Sequence, residues 1–179
     1  MIEFFRKLSI HTAMDISIRT VSEVSAISEK AFVPGDRVWS LLFRDPDGVV
    51  ERMDVLPDEL EQVNLEGGIL CKWSQLIKEH ESTEAELRRA ALQSTEEVFL
   101  SLYEEEEVES EEESVKETRE RLKFFLSIQL ERKRVLKPAG GQNYRHVASK
   151  RIYKVPRLEL TPELVIQFKG EMASMGTGI

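Results

Sequence analysis

Eight glutamates fall within the ten residues from Glu104 to Glu113, and this block splits two amphipathic runs. Charge so dense repels itself and offers almost nothing to bury, so the block cannot sit inside a packed core. It reads as a solvated connector or frayed helix ends, or as an acidic docking tail or shield for a basic surface, and the apolar faces on either side pack together as a helical hairpin. Upstream, Thr83-Glu84-Ala85-Glu86 has the spacing of a reciprocal helix N-cap. Leu87, Ala91, Ser94 or Thr95, Val98 and Leu102 then recur at steps of three or four, with Phe99 and Tyr103 widening the stripe. Downstream, Ser114-Val115-Lys116-Glu117 reads as a second helix start. The apolar residues from Leu122 to Leu130 cover more than half a helical circumference, which predicts the most buried helix of the chain. That pattern runs on to Leu136, and Pro138, Gly140 and Gly141 are the expected stop.

A chain of 179 residues with 41% hydrophobic and 32% charged residues belongs to the soluble globular class and has length for one real core. No apolar run approaches the roughly 20 residues of a membrane helix. Met1 to Met14 has Arg6 and Lys7 but no signal-peptide h-region, and it reads as a leader segment. The single cysteine, Cys71, excludes an internal disulfide and fits a reducing cytoplasm. The formal net charge of −8 opposes general affinity for nucleic acid, but it hides a segregation. Nine Lys or Arg and no acid lie between Arg132 and Arg157.

After the leader the pattern turns to β. Ile16 and Ile18 alternate with Ser17 and Arg19. Arg37 to Arg44 is a strong strand signal, Asp45-Pro46-Asp47-Gly48 is a turn, and Val49 to Leu56 returns as the partner strand. Pro57-Asp58-Glu59-Leu60 suggests a helical turn, and Gly67 to Trp73 another short strand or extended crossing. Trp39 and Trp73 read as packing residues or as a ligand platform.

The run from Ser25 to Leu42, with Pro34-Gly35-Asp36 feeding a hairpin, resembles a family of uncharacterised bacterial proteins whose hairpin ends in Arg-x-Asp. Cys71-Lys72-Trp73, the glutamate-rich middle, Glu131 to Leu136 and Leu158 to Leu164 extend that resemblance from about Ser17 to Phe168. The family's Cys-x-x-Ser/Thr-Gly-Arg knuckle implies a module similar to a zinc ribbon. Here Ser25 stands at the first cysteine position and Glu29 at the glycine. Zinc takes about four ligands, usually Cys and His, and Cys71, His11, His80 and His146 lack ligand spacing. The resemblance therefore implies a metal-free hairpin module and brings no activity with it.

The sequence carries no recognisable catalytic set. Gly67-Gly68 and Gly140-Gly141 lack the lysine and spacing of a phosphate loop. Neither Gly-x-Ser-x-Gly nor His-Glu-x-x-His occurs. Cys71 sits in an apolar run and reads as a core thiol without a partner base. No catalytic residue, metal ligand or cofactor-binding residue is expected.

The patch with a possible mechanism lies in the basic region. Tyr144 to Val147 and Arg151 to Val155 read as a hairpin around Ala148-Ser149-Lys150. Its candidate contact residues are Tyr144, Arg145, His146, Lys150, Arg151, Tyr153 and Lys154. Basic groups interleaved with aromatic rings suit phosphates with stacked bases, or a charged protein partner. Beyond it, Thr161-Pro162 starts a closing helix packed through Leu164, Val165, Phe168 and Met172.

The expected architecture is α+β: a leader over 1–14, a β-rich module over 15–80, a helical hairpin over 81–137 with the acidic connector 104–113, and a basic β-hairpin with a closing helix over 138–179. The expected function is a non-enzymatic, cytoplasmic protein–protein interaction module with an unknown protein partner. The alternative is a nucleic-acid or ribosome-associated binder using the 132–157 region. Homo-oligomerisation stays open, and no membrane is implied.

Overall fold

Alternation in Arg37–Arg44, strand β1, sets Val38, Ser40 and Leu42 on one face and Trp39, Leu41 and Phe43 on the other. All but Trp39 are buried, as a central strand requires. The structure is a computed structural model that describes residues 18, 20–79, 84–104 and 112–172. The leader, most of the Ile16–Ile18 run, Thr83 and residues 105–111 of the connector lie outside them.

The expected hairpin is present. β2 (Val50–Val55) pairs antiparallel with β1 through the turn at Asp45-Pro46-Asp47-Gly48. Gly48 N–H donates to the Asp45 carbonyl at 3.0 Å, and Asp45 Oδ1 accepts from Val49 N–H at 2.7 Å. Gly48 sits at φ +89°, where a side chain is strained and a Cβ would meet the Arg44 guanidinium at 2.7 Å. A short 3₁₀ helix, Pro57–Gln62, follows at the expected place. β3 (Gly68–Leu76) runs three residues past the expected Trp73 and pairs with the other side of β1, giving the order β2-β1-β3.

Ahead of the sheet, Ser25 to Lys30 makes a tight knuckle. Ser25 N–H donates to the Lys30 carbonyl, and Glu29 N–H to the Ser25 carbonyl. Glu29 adopts φ +57°, a left-handed position better suited to glycine. Ser25 Oγ accepts from the N–H groups of Ile27 and Ser28 and donates to Glu59, so hydrogen bonds tie the knuckle to the 3₁₀ helix.

Two long helices follow, α1 (Glu84–Ser101) and α2 (Glu113–Arg132). Three details depart from the sequence pattern. Leu87 is 47% exposed, so the packing stripe of α1 begins near Leu92 and is carried by Val98 and Phe99, with Leu102 just past the helix end. α2 starts at Glu113 with Glu112 at the N-cap, which leaves Ser114 inside the first turn instead of capping it. α2 also ends at Arg132, well before Pro138. Arg134 takes φ +62°, its N–H donates to the Glu131 carbonyl, and Val135 N–H donates to the Leu130 carbonyl. These are the two bonds of a Schellman stop, made here by arginine in the place of glycine. Leu136, read as helical from its spacing, instead begins a strand.

That strand, β4 (Leu136–Pro138), changes the expected C-terminal hairpin into a three-stranded antiparallel sheet. β5 (Asn143–His146) is its centre and β6 (Ile152–Lys154) its far edge. Gly140 and Gly141, at φ +98° and +60°, turn β4 into β5. α3 (Pro162–Glu171) starts as expected, with Thr161 Oγ1 accepting from Leu164 N–H at 3.2 Å.

These elements share one apolar core. Leu42, Cys71 and Trp73 of the first sheet meet Val98 and Phe99 of α1, Leu122, Phe125 and Leu126 of α2, Leu136 of β4, and Phe168 of α3. Phe125 and Phe168 stack with centroids 4.0 Å apart, and Arg121 of α2 donates to Glu171 of α3 through Nη2 at 2.8 Å and Nε at 3.2 Å. Cys71 is a fully buried free thiol, and Trp73 is packed in the core. The fold is α+β, with two small antiparallel sheets and three α-helices among the described residues.

A candidate docking surface on the C-terminal sheet

The second sheet has two unlike faces because side chains alternate along each short strand. Leu136 pairs with His146, and Tyr144 with Tyr153; this face turns to the core. Lys137 pairs with Arg145, Arg145 with Ile152, and Asn143 with Lys154; this face is exposed. The seven candidate contact residues therefore divide. Arg145, Arg151 and Lys154 are exposed, Lys150 is exposed but its ammonium donates to the Val147 carbonyl at 2.6 Å, and Tyr144, His146 and Tyr153 pack inward.

The inward rings are structural anchors. Tyr153 contacts Phe99 and Tyr103 with centroids 5.5 and 5.0 Å away. Tyr103 O–H donates to the Lys154 carbonyl at 3.0 Å, and the Lys123 ammonium lies 4.8 Å from the Tyr103 ring centroid. Burial pushes the Tyr103 phenol well above its ordinary range, with Glu120 and Tyr153 adding to the shift. Tyr144 is raised too, by burial and then by the nearby Glu131. Stacking of bases on these rings would require the sheet to leave the core.

His146 is 3% exposed and is held from both sides. Ser149 N–H donates to Nδ1 at 3.2 Å, which makes Nδ1 the acceptor and leaves Nε2–H to donate to Glu96 of α1 at 2.9 Å. Ser149 Oγ lies 2.8 Å from the same Nδ1. The hydroxyl, imidazole and carboxylate are in relay order, but Nδ1 already serves the turn that places Ser149, so the set closes the β5–β6 loop and ties it to α1.

The exposed face is different. Among the described residues no carboxylate lies within ion-pair distance of Lys137, Arg145 or Lys154. On the edge strand β6, at the end of the cross-strand row Lys137–Arg145–Ile152, Ile152 is 63% exposed, with Lys137 and Arg145 to one side of it and Lys154 along its own strand. Periodicity could have signalled this: Ile152 and Lys154 alternate with Arg151 and Tyr153, and only the missed β4 strand brings Lys137 alongside.

Sequence reasoning also missed a buried polar set under the first sheet. Asp54 Oδ1 accepts from Ser40 Oγ and from Arg52 Nε at 2.9 Å, and Asp54 Oδ2 accepts from Ser22 N–H at 2.8 Å. Gln75 donates to Ser40 Oγ, and the Arg52 guanidinium lies over the Trp73 ring. Arg-x-Asp at i, i+2 on one strand was the available signal. With each carboxylate oxygen satisfied, the set joins β1, β2, β3 and the segment before the knuckle.

Among the described residues no group of three or more His, Cys, Asp and Glu is placed to hold a metal ion, and no helix is long and apolar enough to cross a membrane. Compared with known proteins, the chain matches no family model, no curated protein and no solved structure.

Proposed function

We propose that this protein is a non-enzymatic interaction module of the cytoplasm that docks a negatively charged protein partner on the exposed face of its C-terminal sheet. One observation carries the reading: Lys137, Arg145 and Lys154 project from one face with no carboxylate paired to them among the described residues. Surface cations left uncompensated steer an oppositely charged partner and fix its register. In this reading α1 and α2 form an antiparallel helical hairpin that carries the sheet, and the N-terminal knuckle and hairpin are a metal-free module that completes the core.

The nucleic-acid reading uses the same cations. It loses its stacking platform, because Tyr144 and Tyr153 face the core, and single-strand binders draw much of their affinity from such stacking. A protein partner needs only the charges and a packing contact.

The test compares the intact protein with a Lys137→Ala/Arg145→Ala/Lys154→Ala variant. Each is titrated against polyglutamate and against polyuridylate across a salt series. The reading expects the intact protein to bind polyglutamate at low salt, and the triple variant to lose that binding. Equal binding by both proteins would sink it.

A further inference from the structure

The exposed face of the C-terminal sheet is not uniformly polar, and its geometry specifies more than charge. Ile152 lies directly across from Arg145, which lies directly across from Lys137. Directly opposed residues on neighbouring strands are about 5 Å apart, so the two cations stand at roughly 5 and 10 Å to one side of the isoleucine. Lys154, two residues along β6, stands about 7 Å away on the same face. An exposed isoleucine on the edge strand, beside the cations of a solvated basic face, gains nothing from water. It gains if an apolar group of a partner covers it while carboxylates meet the neighbouring cations.

We infer that the partner is an acidic protein segment with one large apolar residue that seats on Ile152, its carboxylates pairing with Lys137, Arg145 and Lys154. An amphipathic helix satisfies these spacings, since residues three and four apart on a helix face are about 5–6 Å apart. A phosphate backbone matches the cations but carries no apolar group of its own to cover Ile152. This inference rests on the proposed docking face and adds the identity of the anchor. Charge complementarity argues for the occupant, Ile152 adds the apolar contact, and the probes below separate a protein segment from a nucleic acid.

The experiment uses the full chain and three labelled probes followed by fluorescence anisotropy. One is a helical peptide with a single phenylalanine flanked by glutamates three and four residues away. The second carries alanine in place of the phenylalanine, and the third is polyuridylate of equal charge. The phenylalanine peptide is expected to bind at least about tenfold more tightly than the alanine peptide, which corresponds to burial of one apolar contact. Ile152→Ser should abolish that difference and leave the salt dependence unchanged, whereas Arg145→Ala should weaken both peptides and flatten their salt dependence. Equal binding of the two peptides, or tighter binding of polyuridylate, overturns the anchor and leaves the basic docking face standing. No effect of Arg145→Ala on any probe overturns the docking face itself. Urea unfolding of Ile152→Ser guards the comparison, because a residue this exposed should leave the midpoint unchanged.

Discussion

His146 in β5 donates through Nε2 to the Glu96 carboxylate in α1 across 2.9 Å, and it joins elements 50 residues apart in sequence. With Ser149 fixing the other ring nitrogen, the imidazole is the polar pin between the second sheet and α1. His146→Ala removes a buried ring and its hydrogen bonds, so it should lower stability by about 2–3 kcal/mol. Glu96→Gln keeps an acceptor and should cost less than about 1 kcal/mol. Urea unfolding of both variants measures the difference, and equal effects would deny the imidazole its pinning role.

Arg134 and Glu29 hold φ of +62° and +57° at the end of α2 and in the knuckle. Left-handed backbone strains both residues and suits glycine. Arg134→Gly and Glu29→Gly should each raise stability by about 0.5–1 kcal/mol, visible as a higher urea midpoint with an unchanged slope. Gly48→Ala, at φ +89°, should move the midpoint the other way.

Gly68 opens β3 beneath the first turn of α2. A Cβ there would lie 2.2 Å from Val115 Cγ2, and Val115 is 3% exposed. Gly68→Ala should therefore destabilise by about 1–3 kcal/mol through overpacking. Val115→Ala in the same chain should recover part of that loss, and a double-mutant cycle reads the coupling.

The Glu59 carboxyl is held below the ordinary glutamate range, first by its hydrogen bond from Ser25, then by Ser28 and by the Leu56 N–H. A carboxyl depressed in the fold stabilises it above the unfolded value, about 4.3, and that contribution is lost as pH falls through the lower folded value. Glu59→Gln should be less stable than the parent at pH 7, with the gap closing below about pH 4. Urea midpoints at the two pH values check it; a gap that persists in acid would mean the carboxylate charge is irrelevant to the knuckle.

Local chemistry made much of the fold legible. The Asp45–Gly48 turn declares the β1–β2 hairpin because Gly48 alone tolerates its backbone angle. Thr161-Pro162 declares the start of α3, since the cap and the missing proline N–H satisfy the same helix end. The end of α2 was not legible, because nothing local marks Arg134 as left-handed. Only docking of Leu136 beside His146 makes that stop favourable. With β4 hidden, Lys137 could not be placed next to Arg145, so the docking face was read as a hairpin with interleaved rings.

The sequence by itself determined the segregation of charge, the helical and strand periods, the buried character of Cys71 and the basic residues available near the C-terminus. These follow from residue type and spacing, which act over a few residues. Tertiary structure alone decided which side of the second sheet faces the core, that Glu96 receives the His146 proton donor, and that Ser40, Arg52, Asp54 and Gln75 meet. Those outcomes depend on which buried surfaces pack together. A strand that alternates polar and apolar side chains on both sides can turn either way until the rest of the core selects one.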